Sequence, residues 1–197
     1  MSTAPDQSRA HHARSVATGL AIGVGLAIAG WRAVGADHIV FALSVQGGFL
    51  FMGLLVGPAL VDIGRSRYRV RAFEPRLYTL LGAELLRRVL DLVGWNRLIR
   101  QMRYSETGSS GLARFLRGAE QSETAHLLGA AATILLAMTA AVTGHTHGSG
   151  QILLIGLILH AYPVMIQRIV RYRIITRRAN THTSRSRSRS AYNQQLP

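Results

Sequence analysis

The chain has 197 residues, 48% of them hydrophobic, and a formal net charge of +14 in which all 23 basic residues are arginine. It contains no cysteine, which excludes disulfides, thiolate catalysis and Cys-based metal sites. So basic a balance calls for a polyanionic neighbour, and the long apolar runs select an anionic lipid surface over nucleic acid.

Residues 1–15 are polar, with Arg9, His11, His12 and Arg14, and read as a short disordered basic arm. The first apolar run, Val16 to Val34, approaches the ~20 residues of a membrane span. Gly19, Gly23 and Gly25 would let another helix approach closely, and Trp31 suits an interfacial belt. A competing reading is a cleaved signal peptide, with small residues at Ala33, Gly35 and Ala36 after the apolar centre. A polar break, Gly35 to His38, leads into a second run from Ile39 to Ile63. Gly57-Pro58 is expected to loosen the last third of that run.

The segment 64–118 differs in kind. It holds twelve arginines, interleaved with apolar residues at helical spacing: Leu77, Leu80, Leu81, Leu85, Val89 and Leu92. Arg87, Arg88 and Asp91 fall on the other side. Amphipathic helices of this kind lie in the headgroup plane. Gly94 is expected to end the first piece, Trp95 to Arg100 to start a second, and Ser105 to Gly111 to form a flexible turn.

Leu127 to Thr143 is the third run, entered through Glu120-x-x-Glu123-x-x-His126, so its span is placed at about 126–143. A loop from Gly144 to Gly150 contains no arginine. The fourth run starts at Gln151 and ends in Gln167-Arg168-Ile169-Val170-Arg171, giving a span of about 151–168. Residues 177–197, with Ser-Arg repeats, read as a disordered tail. The expectation is an all-α integral membrane domain over 16–176, with four transmembrane helices and a cytoplasmic interfacial segment between the second and third. Arginine counts place both termini and residues 64–118 on the cytoplasmic side of the cell membrane.

This topology has a consequence for chemistry. The third span starts, and the fourth ends, at one face. Glu120, Glu123 and His126 are therefore expected near Gln167, Arg168 and Arg171. Glu74, Trp95 and Asn96 of the interfacial segment lie on the same face. Ionisable groups at a membrane boundary point to function.

Three stretches carry a family likeness. Ser122-Glu123-Thr124-Ala125-His126 opens the third run, Tyr162-Pro163 precedes Gln167-Arg168-Ile169-Val170-Arg171, and Phe73-Glu74 precedes the basic stretch Leu77 to Arg100. From about Phe73 to Arg173 the chain resembles the glycosyl-4,4'-diaponeurosporenoate acyltransferases, small bacterial membrane enzymes. It departs from their pattern at Ile169-Val170, where the family has Tyr-Asn, and at Gln121 and Ser122. The resemblance implies transfer of a fatty acyl group, from acyl-CoA or an acyl carrier, onto a hydroxyl of a glycolipid or glycosyl carotenoid ester. His126 would be the general base, Glu123 or Glu120 its orienting carboxylate, and Arg168 or Arg171 the phosphate ligand. Gln167, Trp95, Asn96 and Glu74 would complete the substrate site.

Plainer readings stand beside these. Glu123-x-x-His126 also suits a helix start, with Ser122 as cap. The late arginines suit a stop-transfer anchor. His145-Thr146-His147 lacks a third ligand, so no metal is expected there. Haem ligation by His38, His126 and His160 is disfavoured because the topology sets them at three depths, and no cofactor is expected. The rival function is a non-enzymatic membrane subunit that docks anionic lipid or a partner protein.

Overall fold

A computed structural model describes residues 4–61, 68–92, 94 and 109–176. Every regular element among them is helical. The helices are α1 (Ala4–Ala33), α2 (Ile39–Leu60), α3 (Glu74–Leu80), α4 (Ala83–Leu92), α5 (Ser109–Val142) and α6 (Thr146–Thr176). Four of them are long and apolar enough to cross a membrane: Ala10–Ala33 of α1, all of α2, Arg117–Val142 of α5, and α6. At 1.5 Å per residue the shortest is about 33 Å long, which matches a hydrocarbon core of about 30 Å.

Three boundaries differ from the sequence expectation. Helix α1 continues N-terminally through the polar residues to Ala4. Helix α5 begins at Ser109, well before the apolar run, so Ser109-Ser110-Gly111 is helical rather than a turn. The loop expected over 144–150 shortens to a turn, because α6 starts at Thr146. The common cause is helical propagation: an apolar run nucleates the helix, and each further residue adds one hydrogen bond. The expected second piece from Trp95 to Arg100 lies outside the described residues.

Helices α2, α5 and α6 pack against one another, and α1 packs on α2. Ala42, Val45, Phe49, Ala137, Ala140 and Ile152 belong to the buried core. Apolar residues such as Val24, Leu43, Phe51, Leu135, Met138 and Leu154 face outward, as lipid-exposed helices require. With no hydrophobic drive between helices in lipid, close backbone approach holds them together. Gly53 shows this: a Cβ there would strike the Ala125 backbone of α5.

The two ends of the bundle are built differently. At one end Asp37, between α1 and α2, joins the α5–α6 turn. His145 Nδ1 lies 2.6 Å from Asp37 Oδ2, and Gly148 N donates to Oδ1 at 2.7 Å. Trp31 packs edge-on against Phe41 and His145. At the other end α3 and α4 form a corner at Gly82, whose φ of +85 suits glycine. Tyr162 of α6 donates from its hydroxyl to the Leu81 carbonyl at 3.0 Å and ties that corner to the bundle. Along α4, Leu85, Val89 and Leu92 are exposed on one stripe, while Arg87 pairs with Glu84 and Asp91. An exposed apolar stripe beside paired charges is the pattern of a helix lying at a lipid surface.

Candidate active site

Helices α5 and α6 run antiparallel, so the polar start of one meets the basic end of the other. Arg168 is the hinge of the arrangement. Its Nε donates to Glu74 Oε2 at 2.7 Å and its Nη2 to Glu74 Oε1 at 3.1 Å, a bidentate pair. Its Nη1 donates to Glu123 Oε1 at 2.6 Å. The other Glu123 oxygen accepts from Arg171 Nη1 at 2.9 Å, and that same nitrogen reaches the Tyr68 carbonyl at 3.0 Å. Glu123 is only 1% exposed and Arg171 only 3%. Two carboxylates and two guanidiniums thus neutralise one another in a buried cluster.

Local structure explains how Glu74 gets there. It opens α3, with Pro75 in the first turn, where a fixed φ and a missing N–H cost nothing. Its carboxylate also accepts from Arg71 N at 3.0 Å and from the Tyr78 hydroxyl at 3.0 Å. Burial pushes the Glu74 carboxyl upward, but the bonds from Arg168, Arg71 and Tyr78 outweigh it and hold the group below its ordinary value. Nearby, Gln167 Nε2 donates to Ser122 Oγ at 2.8 Å, and the Tyr68 hydroxyl lies 2.8 Å from Thr124 Oγ1.

Of the residues singled out from the sequence, Glu74, Glu123, Arg168 and Arg171 meet directly, and Gln167 sits one contact away through Ser122. Trp95 and Asn96 lie outside the described residues. Glu120 keeps a buried Oε2 without a partner among the described residues, as does Gln167 with its Oε1. Among the described residues Arg171 has no partner for Nε or Nη2, which together make one complete bidentate edge of the guanidinium.

His126 has different company. No hydrogen bond joins it to Glu123 among the described residues, because both Glu123 oxygens are held by arginine. Its Nδ1 is buried and has no partner among the described residues, and its ring centroid lies 5.8 Å from that of His160. The separate depths assigned to these two histidines are therefore corrected. Helix α5 starts so far upstream that His126 is inside the span, level with His160. His160 is fully buried in a π-helical turn, Leu157–Ala161, a helical irregularity frequent at functional sites. Its Nε2 lies 3.0 Å from Gln46 Oε1 of α2, and Gln46 Nε2 donates to the Ile152 carbonyl at 3.0 Å. Gly129 makes room for the His160 ring, since a Cβ there would collide with it.

Sequence reasoning weighed His160 only as a haem ligand and did not single out Gln46. The signal available was a polar residue in the middle of each of two apolar runs. Asp37 was noted only as part of a polar break. Among the described residues no group of three or more His, Asp or Glu side chains is placed to hold a metal ion.

No curated protein and no solved structure matches the chain. A family model does: that of glycosyl-4,4'-diaponeurosporenoate acyltransferase, over residues 64–180. The match covers more than half of the chain and takes in α3, α4, α5 and α6, together with every member of the buried ion cluster. A four-span helical bundle with paired charges at one end and that match make the chain a member of the glycosyl-4,4'-diaponeurosporenoate acyltransferase family.

Proposed function

We propose that this protein is a membrane-embedded acyltransferase that moves a fatty acyl group from a thioester donor onto a hydroxyl of a glycolipid or glycosyl carotenoid ester. The observation that carries the reading is the meeting of Glu74, Glu123, Arg168 and Arg171 beside buried polar atoms that lack partners among the described residues. Natural interiors seldom leave such atoms unpaired, and exceptions are concentrated where a ligand or catalytic role fills the gap. Family membership supplies the reaction class.

In this reading the acceptor hydroxyl gives its proton to His126 as its oxygen attacks the thioester carbonyl carbon. Collapse breaks the C–S bond, and the imidazolium returns the proton to the leaving thiolate. The ester and the free thiol are the products, with no net change in protons. Arg168, paired on both sides, frames the site. The open Nε–Nη2 edge of Arg171 receives an anionic group of the donor, whose phosphates match a guanidinium fork. Glu120 and Gln167 contribute polar contacts to the bound substrates. The reaction is placed at the cytoplasmic leaflet of the cell membrane, with both termini on that side, because the arginine-rich segments concentrate there. Anionic lipid attracts the same segments.

The test is acyl transfer in proteoliposomes, with a long-chain acyl thioester and a glycosylated lipid. His126→Ala should lower kcat by ~10²–10⁴, the usual weight of a general base; an unchanged rate removes it from that role.

A non-enzymatic subunit remains the rival, favoured by the exposed Leu85, Val89 and Leu92 stripe on α4. Such a subunit would leave transfer absent in the wild type and would co-purify with a stable partner.

A further inference from the structure

The chain carries 23 arginines and only nine acidic residues, so its own carboxylates cannot pair most of its cations. On the corner formed by α3 and α4 the shortfall is local. Glu74 is taken by Arg168, and Glu84 and Asp91 by Arg87. Arg69, Arg71, Arg76 and Arg88 are exposed and have no ion pair among the described residues.

Two of these cations repeat one pattern. Arg76 follows Phe73 by three residues and precedes Leu80 by four, and Arg88 follows Leu85 by three and precedes Leu92 by four. On a helix such spacings make one row of neighbours. All four apolar members are exposed, Leu80 to 85% and Leu92 to 87%. Each helix thus presents a cation between two large apolar side chains. Arginine in such a row lays its methylenes along the apolar surface and keeps its head at the polar edge, where a guanidinium matches a phosphate. A soluble anion would leave the apolar side chains in water, whereas a phospholipid brings a phosphate and an acyl layer together. The bilayer is also at hand. Helix α2 ends at Leu60 and the span of α5 begins at Arg117, so the segment between them leaves and re-enters the membrane on one face.

The other side of the corner is tethered to α6 at three points. Arg168 holds Glu74, the Tyr162 hydroxyl donates to the Leu81 carbonyl at 3.0 Å, and Arg173 Nη2 lies 3.7 Å from Glu84 Oε2. One face of the corner therefore supplies Glu74 to the ion cluster while the opposite face stands open. We propose that the open face docks on anionic phospholipid, Arg76 and Arg88 each taking a headgroup phosphate while Phe73, Leu80, Leu85 and Leu92 enter the acyl layer, and that this docking holds Glu74 in its pair with Arg168. The lipid surface is independent of the acyl-transfer reading; its effect on the rate of transfer rests on that reading.

The experiment uses the full chain with Val89→Cys carrying a nitroxide label, in nanodiscs of phosphatidylcholine alone or mixed with phosphatidylglycerol. Collision with oxygen, which partitions into lipid, against collision with a water-soluble nickel chelate reads the depth of the label. Phosphatidylglycerol should move it toward the acyl layer, and high salt should reverse the shift. Arg76→Gln with Arg88→Gln should lower the docked-to-undocked ratio about fivefold per arginine, and the corresponding Lys pair should keep most of the shift. A label at Leu43→Cys on α2 should hold one depth throughout, which shows the bundle intact. Hydrogen exchange over 74–80 should be slower with phosphatidylglycerol, and acyl transfer faster, in the wild type but not in the Gln pair. Equal depth in the two lipids, or a shift that the Gln pair retains in full, would overturn the inference. So would a label shielded from both reagents, since a bound protein would then cover the face. Exchange over 74–80 that ignores the lipid while depth responds would overturn the link to Glu74. Depth and exchange that both respond, with no transfer in either lipid, would instead sink the acyl-transfer reading and leave the lipid surface standing.

Discussion

Glu123 is the residue on which the charge cluster turns, because it accepts from both Arg168 and Arg171. Breaking one side of a buried ion pair leaves a charge in low dielectric, at a cost of ~3–5 kcal/mol. Glu123→Gln should accordingly destabilise the bundle by about that amount, read by thermal or denaturant unfolding in detergent. Lys or Leu at 168 should do likewise, because a bidentate guanidinium contact to Glu74 is lost together with the contact to Glu123. A stability equal to wild type in Glu123→Gln would show that the cluster adds nothing to folding. Much of this was legible beforehand. Two carboxylates at the start of one run and two arginines at the end of the next are brought together by antiparallel neighbours. Which side chain pairs with which was not legible. Spacing put Glu123 and His126 on adjacent positions of one helix face, but charge decides the contact: a carboxylate beside two guanidiniums is taken by them. Gln46 and His160 were hidden for a different reason, since they are 114 positions apart and a single sequence carries no sign of such a pairing.

Among the elements, the turn between α5 and α6 and the link between α1 and α2 are held by one carboxylate. The hydrogen bond from His145 and the bond from Gly148 N keep the Asp37 carboxyl below its ordinary 3.8. A group held lower in the folded state stabilises fully above its unfolded value and loses that contribution as pH falls through the folded one. The stability difference between wild type and Asp37→Asn should thus be constant near pH 5 and shrink below about pH 3.8; a difference that grows on acidification would contradict the clasp. Helix α5 teaches the same lesson as the clasp about what a sequence conveys. Its apolar part was plain, but its start was not, because helix formation runs on through Arg117, Glu120 and Gln121 once anchored. That upstream extension carries His126 into the span and alongside His160. On α4, the Leu85 and Leu92 stripe was visible as periodicity and is exposed as expected of an interfacial helix. Leu85→Asp with Leu92→Asp should weaken binding of the chain's α3–α4 corner to lipid, seen as faster hydrogen exchange over 83–92 in nanodiscs, with α2 unchanged.

At the scale of the whole molecule, four apolar helices and one polar cluster divide the labour. The cluster joins α3, α5 and α6, while Asp37 closes the opposite end. The absence of cysteine makes the topology open to single-cysteine labelling without background. Cysteines placed at positions 12 and 88 should react from one side of the membrane, and one at 147 from the other. Labelling of 88 and 147 from the same side would overturn the four-span arrangement. The most direct measurement of the central claim is acyl transfer itself. Proteoliposomes holding the full chain, a labelled long-chain acyl thioester and a glycosylated lipid should yield acylated glycolipid, and His126→Ala should reduce the initial rate by ~10²–10⁴ while the protein stays folded. Product formed at the wild-type rate by the His126→Ala chain, or no product from the wild type, would contradict it.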